Sequence, residues 1–243
     1  MNRLAFRKLP QLSYPVNEAF NTLSTNVSFL GRDIKKIMLT SSHASEGKSF
    51  TSITLCRKLA ERGKRVVLVD TDLRRSMITT VYGVQFAPGS KKQGLSHYLA
   101  GIAEKEEVLF HTNVPGMDFI PMGHELLNPI PLLSSERFQN LLDGLAEQYD
   151  YVIVDAAPVG VVIDAAEIAK VCDGILLVVS YNQVHRQELI DAKNQLEQTG
   201  CPILGTILNQ VDYEGFANKK YYYKSHYSSY YKAYEKEAEE KKS

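Results

Sequence analysis

A chain of 243 residues, 44% hydrophobic and 23% charged, has the make-up of a globular protein large enough for one α/β domain with a well-buried core. Its 28 basic and 28 acidic side chains cancel, which removes the electrostatic footprint of a nucleic-acid binder, and no apolar run approaches the ~20 residues that span a bilayer. Met1 is not followed by a signal-peptide core, and Cys56, Cys172 and Cys201 lack C-x-x-C spacing, so a reduced, soluble, cytoplasmic protein is expected. Cys56 and Cys172 are expected on buried segments. The six Lys/Arg against two Asp/Glu in the first 36 residues are scattered and form no lipid-binding patch.

In chain order, residues 1–35 form an N-terminal segment. Val16, Phe20, Leu23, Val27 and Leu30 recur at steps of four and three, which predicts a helix with Pro15 in its first turn, packing on the main domain or on a neighbouring subunit. One main domain is expected over 36–211. It opens with a strand over Ile37–Thr40, a helix over Lys48–Arg62 closed by Gly63, and a strand over Arg65–Asp70. Residues 83–135 are less regular. Strands follow over Tyr151–Asp155, Gly174–Ser180 and Gly205–Val211. Short, wholly apolar strands separated by helices predict an α/β fold with a mostly parallel sheet covered on both faces. From Asp212 to Ser243, apolar periodicity stops and a flexible tail is expected. Eight of the chain's 14 tyrosines fall in the last 33 residues.

Between the first strand and the long helix lies Ser42-His43-Ala44-Ser45-Glu46-Gly47-Lys48-Ser49, a phosphate loop with serine in place of its first glycine. The chemistry needs backbone N–H groups turned to phosphate at a helix N-terminus, a mobile cation in Lys48 and a hydroxyl in Ser49 for Mg²⁺. Residues 44–50 (Ala44, Ser45, Glu46, Gly47, Lys48, Ser49 and Phe50) are therefore the candidate nucleotide contacts. Two apolar strands end in acid, Asp70-Thr71-Asp72 and Asp155. Alone, each Asp reads equally well as a helix N-cap. Beside Lys48 they read as one metal–phosphate site, because ligands bind at the carboxyl ends of parallel strands. Asp155 would hold Mg²⁺ directly or through water, Asp72 would steady the metal's water shell, and Asp70 would face an acceptor hydroxyl. Lys48, Asp70 and Asp72 are the candidate catalytic residues; Ser49, Asp72 and Asp155 are the candidate metal ligands. Phosphoryl-transfer machinery joined to a row of phenols points to a kinase that modifies its own tail.

These motifs resemble those of the bacterial tyrosine kinases, P-loop NTPases of capsular and exopolysaccharide synthesis. The resemblance rests on Gly47-Lys48-Ser49, Val69-Asp70-Thr71-Asp72-Leu73-Arg74-Arg75 and Val154-Asp155-Ala156-Ala157-Pro158-Val159. Gly94-Leu95-Ser96, Asn128-Pro129, Leu132-Leu133-Ser134, Val162-Ile163-Asp164-Ala165-Ala166 and the tyrosine tail add to it. It implies ATP and Mg²⁺, and trans-autophosphorylation of Tyr221, Tyr222, Tyr223, Tyr227, Tyr230, Tyr231 and Tyr234 within a homo-oligomeric ring. It also implies a separate membrane activator protein that recruits the chain to the inner face of the membrane, and a cognate tyrosine phosphatase. Asn209 resembles the adenine-contacting asparagine of related ATPases; a turn-capping asparagine is the other reading.

Four positions depart from the pattern. Asn21 and Ser24 replace the arginines that join subunits with Glu18, Phe50 replaces a threonine, and Ala157 replaces a proline. None removes a phosphate or metal ligand, but a weaker ring is expected. The competing reading is a partitioning or cell-division-site switch ATPase of the same superfamily. That class carries a second lysine five residues before the first, where this chain has His43.

Overall fold

The structure is a computed structural model that describes residues 2–211. Residues 2–209 form one compact unit; beyond it only Gln210 and Val211 are described. The seven expected acceptor tyrosines, Tyr221 to Tyr234, lie outside the described residues. No helix among the described residues is long and apolar enough to cross a membrane.

The elements in chain order are β1 (Leu4–Phe6), α1 (Tyr14–Ser28), β2 (Lys36–Ser41), α2 (Lys48–Glu61), β3 (Val66–Asp70), α3 (Ile78–Val81) and β4 (Val84–Phe86). They continue with α4 (Leu95–Leu99), α5 (Lys105–Val108), β5 (Phe110–His111), β6 (Met117–Ile120), α6 (Ile130–Leu133) and α7 (Glu136–Gln148). The last five are β7 (Tyr151–Asp155), α8 (Asp164–Ala169), β8 (Gly174–Ser180), α9 (Arg186–Glu197) and β9 (Ile203–Asn209). Seven strands form one sheet in the order β5-β6-β3-β7-β2-β8-β9. All neighbours run parallel except β5, which pairs antiparallel with β6 at one edge.

Successive strand residues point to opposite faces, and the two faces bury different helices. Met38, Val67, Val69, Val152, Val154 and Leu177 face one core with Leu95, Phe138, Leu141, Leu142, Ile168 and Leu196. Ile37, Leu39, Leu68, Ile153 and Val178 face the other with Val27, Ile53, Leu55 and Leu59. A strand buried on both faces has no room for polar alternation, which is why β2, β3, β7 and β8 read as unbroken apolar runs.

Residues 83–135, irregular in sequence, hold structure of two kinds. β6 extends the sheet beside β3, and β4 pairs antiparallel with β1 from the N-terminal segment. Phe6 meets Phe119 of β6 at 5.4 Å between ring centroids, and Phe86 meets Phe110 at 5.1 Å. The N-terminal residues are thus stitched into the core of the main unit. β1 and β4 have three residues each, too short for periodicity to reveal.

Within α1, Phe20 and Val27 are buried and Leu23 is half-buried, while Leu30 lies beyond the last turn. Glu18 Oε1 accepts from the Asn21 side-chain amide at 2.9 Å, and Ser24, fully buried, donates to the Asn21 carbonyl at 2.9 Å. Asn21 and Ser24 are therefore satisfied inside their own helix. Among the cysteines, Cys56 and Cys201 are buried, whereas Cys172, expected on a buried segment, is half-buried. Its position in the turn after α8, at the edge of the core, accounts for the difference.

Phe119 is fully buried and joins β6 to the N-terminal strand. Phe119→Ala is expected to cost about 3–5 kcal/mol of stability. Equilibrium denaturation measures this, and a loss below about 1 kcal/mol would mean that the β1–β6 contact is not part of the core.

Candidate active site

The site is built where β2, β3 and β7 end beside the N-terminus of α2. After Ser41 the chain turns through residues 42–47 into the helix, with Ser45 (φ 66°) and Gly47 (φ 82°) in the left-handed region. Glycine enters that region without steric cost, whereas Ser45 is strained there. Loops of this kind, leading into a helix, aim backbone N–H groups at anions.

Three contacts brace the loop. Glu46, 3% exposed, folds its carboxylate beneath it, where Oε1 accepts from the Ser42 hydroxyl at 2.7 Å and the His43 N–H at 3.1 Å. Asn209, at the end of β9, donates its side-chain amide to the Glu46 carbonyl at 2.8 Å. Gly160 passes so close to Ser42 that a Cβ there would lie 2.4 Å from the Ser42 carbonyl oxygen.

Asp155, 1% exposed, gathers the donors of α2. Its Oδ2 accepts from the Ser49 hydroxyl at 2.7 Å and the Lys48 ammonium at 3.1 Å, and its Oδ1 accepts from the Ser52 hydroxyl at 2.8 Å. Asp70 stands opposite Asp155 in the β3–β7 register and is fully buried. The Ser76 hydroxyl donates to Asp70 Oδ2, while Asp70 Oδ1 has no hydrogen-bond partner. Burial, reinforced by the neighbouring Asp155 charge, pushes the Asp70 carboxyl well above the usual carboxylate range.

The second motif is locked in place by its arginine. Arg74 binds the buried Asp164 in bidentate fashion, Nε to Oδ2 at 2.6 Å and Nη2 to Oδ1 at 3.0 Å, and Nη1 donates to the Leu127 carbonyl at 2.9 Å. Asp72 accepts from the Arg75 backbone N–H at 3.1 Å.

A cavity of about 600 Å³ opens over these groups. Of the expected residues, Ala44, Ser45, Gly47, Lys48, Ser49, Phe50 and Asp72 line it. Glu46, Asn209, Asp70 and Asp155 do not. Glu46 is turned under the loop, and Asn209 holds the loop to the sheet. Asp70 was expected to face an incoming hydroxyl; here it lies fully buried behind the cavity wall, and Asp72 is the carboxylate on that wall. Phe50 closes the loop side and packs edge-on against Phe20 of α1 at 5.7 Å.

Ser52, Ser76 and Gly160 were missed by sequence reasoning, as was the partnership of Asp164 with Arg74. No local signal marks a hydroxyl one turn into a helix or a glycine packed on a loop. Asp164 was visible within a quoted motif, but its partner lies 90 positions away.

Magnesium takes hard oxygen donors, several of them carboxylate. The Ser49 hydroxyl, Asp155, the cavity-lining Asp72 and the unpartnered oxygen of Asp70 are donors of that class. Lys48 pairs with Asp155, while the in-register Asp70 carboxyl has no ion-pair partner among the described residues. These donors suit a divalent cation by type, while among the described residues no group of three or more His, Cys, Asp or Glu side chains is placed to hold one without further ligands.

Comparison with known proteins places this geometry among relatives. A family of AAA domains matches residues 34–199. The tyrosine-protein kinase CpsD of Streptococcus agalactiae serotype III is 39% identical over 195 residues, covering 80% of this chain and 82% of that one. Among solved structures, the kinase domain of the Escherichia coli tyrosine kinase ETK is similar at a TM-score of 0.75 and 33% identity, over 81% of this chain and 76% of that one. The septum site-determining protein MinD of Pyrococcus horikoshii, complexed with Mg-ADP, shares the fold at a TM-score of 0.60 and 22% identity, over 72% of this chain and 70% of that one.

The contact between Gly160 and Ser42 yields a test of the loop bracing. Gly160→Ala is expected to lower stability by about 1–3 kcal/mol through overpacking and to weaken binding of a non-hydrolysable ATP analogue. Calorimetric titration checks it; unaltered affinity would show that the loop tolerates displacement at Ser42.

Proposed function

The chain belongs to the bacterial tyrosine kinases, and from that premise we propose that it moves the γ-phosphoryl group of ATP onto tyrosines of its own C-terminal cluster, presented by a second copy. The observation that carries the reading is the meeting of Lys48, Ser49 and two buried strand-end carboxylates at a cavity whose wall carries Asp72.

In the reaction the phenol oxygen attacks the γ-phosphorus, the bond to the β,γ-bridging oxygen breaks, ADP leaves, and the phenolic proton is lost. The residues divide this work. Backbone N–H groups of 44–49 hold the phosphates, and Lys48 exchanges Asp155 for phosphate oxygens as they enter. Ser49 and Asp155 would hold Mg²⁺, with Asp70 and Asp72 beside them; when bound, the ion neutralises charge on the phosphate oxygens. Asp72 orients the incoming hydroxyl and accepts its proton. A loose transition state needs little proton abstraction in advance, so orientation is its larger contribution. Asn209 serves purine recognition through its side-chain oxygen while its amide keeps hold of Glu46.

Access to a tyrosine of another copy requires assembly, and a weak ring strengthened by a membrane activator suits a helix α1 whose Glu18 is engaged by Asn21. Each phosphate adds about −1.5 to −2 charge, so repeated modification of a compact tyrosine cluster would loosen that ring. Regulation of capsular or exopolysaccharide export follows if assembly and release alternate. A cognate phosphatase would reset the cycle.

Two expected outcomes test the assignment. Lys48→Met abolishes tyrosine phosphorylation, read by mass spectrometry after incubation with Mg-ATP, while thermal unfolding shows the fold retained; labelling at the wild-type rate would remove the kinase reading. Asp72→Asn lowers the turnover of an acceptor peptide by roughly ten- to a hundredfold with little change in KM for ATP. Equal losses in both would move Asp72 to nucleotide binding.

A further inference from the structure

Four basic side chains line the cavity, and three of them are engaged. Lys48 faces Asp155 at 3.1 Å, Arg74 grips Asp164 at 2.6 Å, and His43 lies between Glu46 at 3.8 Å and Glu188 at 3.6 Å. Arg75 differs. Its backbone N–H is anchored to Asp72 at 3.1 Å, yet its guanidinium is exposed and has no acidic partner among the described residues. The same wall carries Met77 and Val161, which are 50% and 61% exposed.

A planar cation with five donors beside exposed apolar side chains complements one class of ligand, an aryl phosphate. The dianion matches the guanidinium fork and the ring matches the apolar surface. The nucleotide's own phosphates are already provided for by the loop and Lys48. The chain's sequence contains the matching ligand in latent form, since Tyr221-Tyr222-Tyr223 and Tyr230-Tyr231 place phenols next to one another. In an extended segment a residue one or two positions from the acceptor lies about 3.5–7 Å away, within reach of an arginine fixed at the wall.

We propose that Arg75, flanked by Met77 and Val161, is a recognition subsite for a phosphotyrosine one or two positions from the acceptor tyrosine, delivered by the tyrosine run of a second copy. The first phosphate transferred then seats the segment for the next transfer, so a tyrosine run is modified serially. This rests on the kinase reading above and names how its acceptor is chosen.

The test uses the full chain and two peptides of residues 218–226, both carrying Tyr222→Phe. One has phosphotyrosine at position 223 and the other has Tyr223→Phe, which leaves Tyr221 as the acceptor. A charge-assisted hydrogen bond contributes about 1.5–3 kcal/mol, so wild-type kcat/KM is expected to favour the phosphorylated peptide by roughly tenfold or more. Arg75→Ala should bring the ratio close to one, and Arg75→Lys should restore part of it. A wild-type ratio near one, or a ratio unchanged in Arg75→Ala while KM for ATP rises, overturns the subsite and leaves the kinase reading intact. If wild type modifies neither peptide, the kinase reading falls, and anisotropy of the labelled phosphopeptide decides the subsite by itself. Binding lost in Arg75→Ala retains it; equal binding, or none to wild type, overturns it.

Discussion

Two carboxylates at the ends of neighbouring parallel strands, both out of contact with water, are the constraint on which the rest of this molecule depends. Asp70 and Asp155 face each other in register. Like charges brought together in a low-dielectric interior are costly unless compensated. Lys48, Ser49 and Ser52 compensate Asp155 from the first turns of α2, and Ser76 compensates half of Asp70. What remains is one Asp70 oxygen without a hydrogen-bond partner among the described residues. The same arrangement explains why α2 is buried nearly all round: its N-terminal turn has to reach the strand ends, so its body must lie across the sheet.

Compensation works only while the phosphate loop stays in place, and the loop is held by parts of the chain far from it in sequence. Asn209 ties it to the last strand, Gly160 supports Ser42, and the Glu46 carboxylate fills the space underneath. The second motif is fixed separately, by Arg74 clamped to Asp164 and to the Leu127 carbonyl. Both halves are held by contacts within the chain, and preorganised dipoles need no reorganisation when charge develops. Asp164 is buried while the Arg74 side chain is 31% exposed, so losing the arginine would leave a buried carboxylate without its partner, and the clamp contributes to the fold as well as to the site.

The N-terminal helix reaches the same cavity by a different route. Phe50 turns toward Phe20 and gives α1 an aromatic contact on the cavity wall. Arg62 reaches the Thr25 hydroxyl at 2.7 Å and Arg57 reaches the Pro10 carbonyl at 3.0 Å, so the segment before β2 is bound along the length of α2. Helix α1 thus lies one side chain away from the cavity.

The strand–loop–helix unit, the acid-ended strands and the doubly covered sheet were legible in the sequence because each is local. Continuous apolar runs report burial on both faces, and Gly47-Lys48-Ser49 needs only its neighbours to mean a phosphate loop. The sequence by itself also determined which side chains could bear phosphate and metal. Tertiary structure alone decided which of them face the cavity. Asp70 and Asp72 are two residues apart, yet strand geometry buries the first in the core while the second follows the chain onto the cavity wall. Asn209, Gly160 and Asp164 acquire their roles from contacts 163, 118 and 90 positions away, and no local pattern records such a contact. Short pieces such as β1 and β4 form only because the phenylalanines around them share one core. Propensity and spacing describe what a segment can become; long-range packing determines what it touches.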